Sequence, residues 1–107
     1  MISMIIPVYW ANQDFVDMTM ECLNSISQTT DDEPEEILII NDGSPEDAEF
    51  VDDTDLVQKF IQIDREKNGG YAAAVNTGFF YAKGDILIVS NNDTEFIQPD
   101  WLDHLLK

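Results

Sequence analysis

At 107 residues the chain has the length of one domain and can bury a core without disulfide or metal staples. Five Lys and Arg against 22 Asp and Glu give a formal net charge of −17, which disfavours nucleic acid and anionic membrane surfaces as partners. Any phosphate-bearing ligand would then have to be met by a metal ion, a helix N terminus or one of the few cations.

Ile2 to Val8 is apolar and β-rich, and it lacks the basic flank of a signal peptide and the length of a membrane span. It reads as a buried strand stopping at Pro7-Val8-Tyr9, where proline removes a backbone donor. Asn12 or Asp14 can cap a helix running to about Ile26, with an apolar face of Phe15, Met18, Cys22 and Ile26, and with Val16 and Leu23 beside it. Cys22 is the single cysteine, so no internal disulfide can form; a core position and a reduced, cytoplasmic setting are expected.

Thr29 to Glu36 is polar and contains Pro34, as a surface loop does. Ile37 to Ile40 is a run of consecutive apolar residues, the mark of a strand covered on both faces in a parallel sheet. Ser44 before Pro45 has the pattern of a helix N-cap followed by first-turn proline, opening a short acidic helix around Glu46 to Val51. Val57 to Ile63 is expected as a third strand at a sheet edge, followed by a charged loop from Asp64 to Gly70. Tyr71 to Ala82 favours a helix stopped at Gly84, Ile86 to Val89 is a fourth strand, and Pro99-Asp100-Trp101-Leu102 opens a last helix.

Alternating strands and helices predict an α/β fold: an open, mainly parallel Rossmann-like sheet with helices on both faces, residues 1–107 forming one domain. In such sheets ligands bind beyond the carboxyl ends of the strands. Asp42 leaves a strand there with a carboxylate able to accept from a base N–H or a ribose hydroxyl, although Asn-Asp-Gly-Ser is also an ordinary turn. Asp93, at the end of Asn91-Asn92-Asp93, can bind a divalent cation that also takes diphosphate oxygens. Asn68-Gly69-Gly70 before a helix offers backbone N–H groups at a positive helix end, but it lacks the spacing of a dinucleotide fingerprint or P-loop.

The ordered set Ile5-Ile6-Pro7-Val8-Tyr9, Ile39-Ile40-Asn41-Asp42-Gly43-Ser44, Asn68-Gly69-Gly70-Tyr71 through Gly78, Ala82-Lys83-Gly84-Asp85 and Asn91-Asn92-Asp93-Thr94 resembles the nucleotide-binding part of family 2 glycosyltransferases of the GT-A fold. The resemblance implies that Pro7 and Tyr9 lie beside the base, Asp42 bonds the base or ribose, Gly70 lies near the nucleotide and Asn92 faces the ribose. It also implies that Asp93 holds Mg²⁺ or Mn²⁺. Asn91 stands where the family's acidic D-x-D motif begins, a departure from the pattern. The expected ligand is a UDP- or dTDP-linked sugar, and the expected acceptor in a full-length enzyme is a saccharide or lipid used in polysaccharide or glycolipid assembly.

The family's second half supplies the acceptor site and an acidic general base, so this chain alone is expected to bind donor and metal without transferring sugar. A rival reading is a non-catalytic module that self-associates through an exposed sheet edge. A receiver-type signalling domain would need acids after the first strand, where Tyr9-Trp10-Ala11 stands instead.

Overall fold

The computed structural model describes residues 1–29, 34–46, 59–92 and 101–106. Its strands are β1 (Ile2–Val8), β2 (Glu36–Asp42), β3 (Lys59–Arg65) and β4 (Ile86–Val89), and its helices are α1 (Gln13–Thr29), α2 (Tyr71–Tyr81) and α3 (Trp101–Leu106). The strands form one parallel sheet in the order β3-β2-β1-β4. The expected open parallel α/β architecture is therefore present.

The two central strands are buried along their whole length, and their alternating side chains divide the core into two layers. Met4, Ile6, Val8, Ile37, Ile39 and Phe60 pack with Val16, Cys22, Leu23 and Ile26 of α1, and Trp101 of α3 joins this layer. Ile5, Leu38 and Ile40 pack on the other side with Ala74 of α2. Helices thus cover both faces. Gly78 lets α2 approach closely, since a β-carbon there would stand 2.5 Å from a methyl of Ile5.

Strand β1 ends at Val8, inside the expected Pro7-Val8-Tyr9 stop, with Pro7 still pairing in register with Ile40. Ile5 turns its carbonyl toward β4, accepting from Ser90 N at 3.0 Å, so Pro7, two residues on, turns the same way. By that point β4 has ended, and the proline's missing donor leaves no ladder bond unmade.

Helix α1 is capped by Asn12, whose Oδ1 accepts from Asp14 N at 3.0 Å and Phe15 N at 3.4 Å. Its buried face differs from the expected one: Phe15 and Met18 are exposed, while Val16, Thr19, Cys22, Leu23 and Ile26 are buried. A polar residue, Thr19, occupies a core position, and that obscured the stripe. Strand β3 also extends to Arg65 rather than ending at Ile63, so Asp64 and Arg65 belong to the sheet. Of the acidic helix expected after Ser44, residues 47–51 lie outside the described residues, as do Val57 and Asp93.

At the amino ends of the strands, Ser3 and Glu36 are register partners and both are buried. Ser3 Oγ donates to Glu36 Oε2 at 2.7 Å, and the pair accepts Gly84 N on Ser3 at 2.8 Å and Lys83 N on Glu36 at 3.1 Å. These bonds fasten the turn leaving α2 beneath the sheet.

Candidate functional site

The carboxyl ends of all four strands emerge at one edge, where the sheet order places β4 and β2 on opposite sides of β1. Asp42, the last residue of β2, accepts Gly69 N on Oδ1 at 3.0 Å and Gly70 N on Oδ2 at 2.9 Å. Its register partner Arg65 brings Nε to 2.9 Å from the same Oδ1. That approach is a charge contact, since the N–H is not aligned as a hydrogen bond. The Asp42 side chain is 6% exposed and that of Arg65 27%, so water weakens their attraction only in part.

Arg65 continues the link into α2, where Nη1 donates to Ala73 O at 3.0 Å and to the Thr77 hydroxyl. Strand β2, strand β3, the Gly69-Gly70 turn and the first half of α2 are therefore clamped together through two side chains. The turn depends on glycine. Gly70 has φ 91°, and Gly43 has φ 66° and faces the loop so closely that a β-carbon would stand 2.4 Å from Asn68 N. An ionised carboxylate offers about four acceptor positions. Gly69 takes one position on Oδ1, against which Arg65 Nε packs as a charge, and Gly70 takes one position on Oδ2, leaving one on Oδ2 for a ligand N–H or O–H.

Asn41 ties in the neighbouring loops. Its Nδ2 donates to Asp64 Oδ1 at 2.9 Å, and its Oδ1 accepts Ser44 N at 3.2 Å and the Ser44 hydroxyl at 2.5 Å. That hydroxyl in turn accepts Trp10 N at 2.7 Å, and Trp10 O accepts Glu46 N at 3.1 Å. Ser44 thus links the loops after β1 and β2.

Beyond β4, Asn92 Nδ2 donates to Thr19 Oγ1 at 3.1 Å, and Trp10 Nε1 donates to the same oxygen at 3.0 Å. Of the residues expected to form the site, Asp42 and Gly70 are directly bonded, while Asn92 is held separately by α1. Pro7 is buried in β1, and Tyr9 just beyond it is 46% exposed. Sequence reading gave no site role to Trp10, Thr19, Asn41 or Arg65. A polar Thr19 between Val16 and Leu23 was the one signal available, because its neighbours on that face are apolar.

The family model for glycosyl transferase family 2 matches residues 3–107. The chain belongs to glycosyl transferase family 2. It is 27% identical over 114 aligned positions to undecaprenyl-phosphate 4-deoxy-4-formamido-L-arabinose transferase of Pseudomonas syringae, covering 99% of this chain and 32% of that protein. It is 32% identical to the glycosyltransferase EpsJ of Bacillus subtilis, over 78% of this chain and 23% of that one. The fold is similar to the crystal structure of Staphylococcus aureus TarS 1–349, with a TM-score of 0.65 at 24% identity over 98% of this chain and 31% of that one. The chain therefore spans about a third or less of the length of these relatives.

Family 2 glycosyl transferases generally use divalent metals and act on a sugar donor and an acceptor. Among the described residues no group of three or more His, Cys, Asp and Glu is placed to hold a metal ion. Asn92 Oδ1, which has no partner among the described residues, is an oxygen donor of the type Mg²⁺ and Mn²⁺ accept, next in sequence to Asp93. Among the described residues no helix is long and apolar enough to cross a membrane.

Proposed function

We propose that this chain binds the nucleotide diphosphate of a UDP- or dTDP-linked sugar, for transfer to a saccharide or lipid acceptor by a longer cytoplasmic enzyme of polysaccharide or glycolipid assembly. The observation that carries this reading is the joining of the strand-end loops into one rim: Trp10 to Ser44, Asn41 to Asp64, Asp42 to Gly69 and Gly70, and Thr19 to Asn92. A nucleotide diphosphate needs such a rim, because its base, ribose and phosphates must be met over a distance that no single loop spans.

Each part of the rim offers a group suited to one part of the ligand. Tyr9 presents an exposed side chain just beyond the end of β1 for the base, and Pro7 is buried two residues before it. Asp42 offers its remaining Oδ2 position to a base N–H or ribose hydroxyl, and Asn92 offers Oδ1 to the ribose. Gly70 caps α2 without a side chain, and the first intrahelical bond is Ala74 N to Gly70 O at 3.1 Å, so the N–H groups of residues 71–73 precede the helical ladder. Mg²⁺ or Mn²⁺ held by Asp93 would supply the positive charge that a chain of net charge −17 otherwise lacks.

Calorimetric titration of the chain with UDP and dTDP, in Mn²⁺ and in EDTA, tests the proposal. Mn²⁺-dependent binding that is lost in Asp93→Ala supports it. Absence of binding to both nucleotides, or equal binding by Asp93→Ala, overturns the site.

A second reading has its own support in β4. This edge strand pairs only with β1 among the described strands, and Ile86, Leu87 and Val89 are exposed along it. Self-association through that edge predicts a dimer by light scattering that a charged Leu87→Lys substitution dissolves. A monomer at all concentrations removes it.

A further inference from the structure

The hydroxyl of Thr19 is fully engaged at a point where three elements meet. A threonine hydroxyl has one donor and two acceptor positions. Here it donates to Phe15 O at 3.2 Å and accepts Trp10 Nε1 at 3.0 Å and Asn92 Nδ2 at 3.1 Å. Thr19 and Trp10 are both 0% exposed, so water cannot replace either bond. One helical turn further along the same face, Cys22 Sγ lies 4.0 Å from Asn91 O. Helix α1 thus supplies a ledge of two residues beneath the loop leaving β4.

The bonds are consistent with one orientation of the Asn92 amide: with the single proton of Thr19 given to Phe15 O, the oxygen accepts, and Asn92 presents its NH₂ group to it. Its Oδ1 is then the end left to meet a ligand. Trp10 supports the same oxygen from the other side, and its own main chain is bonded to Ser44 and Glu46 at the end of β2. The β4 loop is therefore referenced, through one hydroxyl, to the loop that follows Asp42.

We propose that Thr19, braced by Trp10, is a positioning residue that holds Asn91 and Asn92 in the arrangement able to receive the nucleotide and its cation. The inference rests on the donor-binding reading above. Thr19 touches no ligand itself; it acts through Asn92. A valine there would keep the shape of the side chain while leaving two N–H groups without an acceptor, and a serine would keep the hydroxyl.

The test compares the chain with Thr19→Val, Thr19→Ser and Trp10→Phe by amide hydrogen exchange and by UDP titration in Mn²⁺. In Thr19→Val the amide of Ser90, which opens this loop and is bonded to Ile5 O, is expected to exchange about tenfold faster, and UDP affinity to fall about tenfold, the scale set by one buried hydrogen bond. Amides of Ile37 to Ile40 keep their protection, and Thr19→Ser restores both properties. Should Thr19→Val fail to fold, Trp10→Phe carries the test, with a smaller acceleration confined to the same loop.

Exchange at Ser90 that is unchanged in Thr19→Val, or that rises equally throughout the core, overturns the positioning role. So does a serine variant as impaired as the valine. Failure of the unsubstituted chain to bind UDP or dTDP in Mn²⁺ overturns the donor reading instead, and with it the role in binding; the exchange data separate the two failures.

Discussion

The two ends of the sheet use the same device to different effect. At the amino ends, buried Glu36 and its register partner Ser3 hold the main-chain N–H groups of Lys83 and Gly84; at the carboxyl ends, buried Asp42 and its partner Arg65 hold those of Gly69 and Gly70 and the first half of α2. In each case a carboxylate at the end of β2 captures a loop attached to α2. The amino-terminal network closes on itself, with Gly84 packed so tightly that a β-carbon would stand 2.6 Å from Ser3 Oγ. The carboxyl-terminal one retains an acceptor position on Asp42, and at the same edge of the sheet Asn92 Oδ1 has no partner among the described residues and Tyr9 is exposed. Polar burial at one end holds the fold together, whereas at the other it shapes a surface that still has bonds to offer.

The comparison can be broken by substitutions at either end. Gly43→Ala should have the largest effect, lowering stability by about 4 kcal/mol, because it combines a strained positive φ with displacement of the 67–68 backbone. Urea unfolding measures it, and a midpoint unchanged from the unsubstituted chain would show that the loop gives way freely. Glu36→Ala follows at about 3 kcal/mol, since it leaves a buried hydroxyl and an N–H without their acceptor. Because that network is remote from the rim, the folded fraction should keep its UDP affinity, which titration below the unfolding midpoint checks.

Asp42→Asn should cost about 2 kcal/mol, as the amide retains one acceptor but loses the charge that Arg65 faces and offers its NH₂ toward a glycine N–H. Its stability loss is smaller than that of Glu36→Ala, yet its loss of UDP affinity should be greater. Reversal of that order would mean that the two ends do not differ in function.

Much of the frame was legible because it depends on local pattern. Consecutive apolar residues marked β1 over Ile2–Val8 and β4 over Ile86–Val89, and the alanine-rich run marked α2. The parallel arrangement followed from chain order and apolar strands. Legibility failed where tertiary partners decide. Phe15 and Met18 fit a helical stripe as well as Val16 and Leu23 do, and only the position of the sheet selects the second set. Arg65 looked like part of a charged loop because nothing local shows that Asp42 is its neighbour across the strands. Asp42 and Gly70 were identified as site residues, but the bond between them spans 28 positions in sequence and could not be read from either motif.

Trp10→Phe offers the smallest and most selective test of the rim. Phenylalanine keeps most of the buried aromatic surface and the backbone bonds to Ser44 and Glu46, while removing the indole N–H that reaches Thr19. The Thr19 hydroxyl retains its bonds to Phe15 O and Asn92, so no buried donor is stranded, and the expected cost is about 1 kcal/mol in urea unfolding. A loss several times larger would assign Trp10 chiefly to core packing with α1. A loss of this size, with faster exchange confined to Ser90 at the start of the β4 loop, would locate its contribution in the bond that braces that loop.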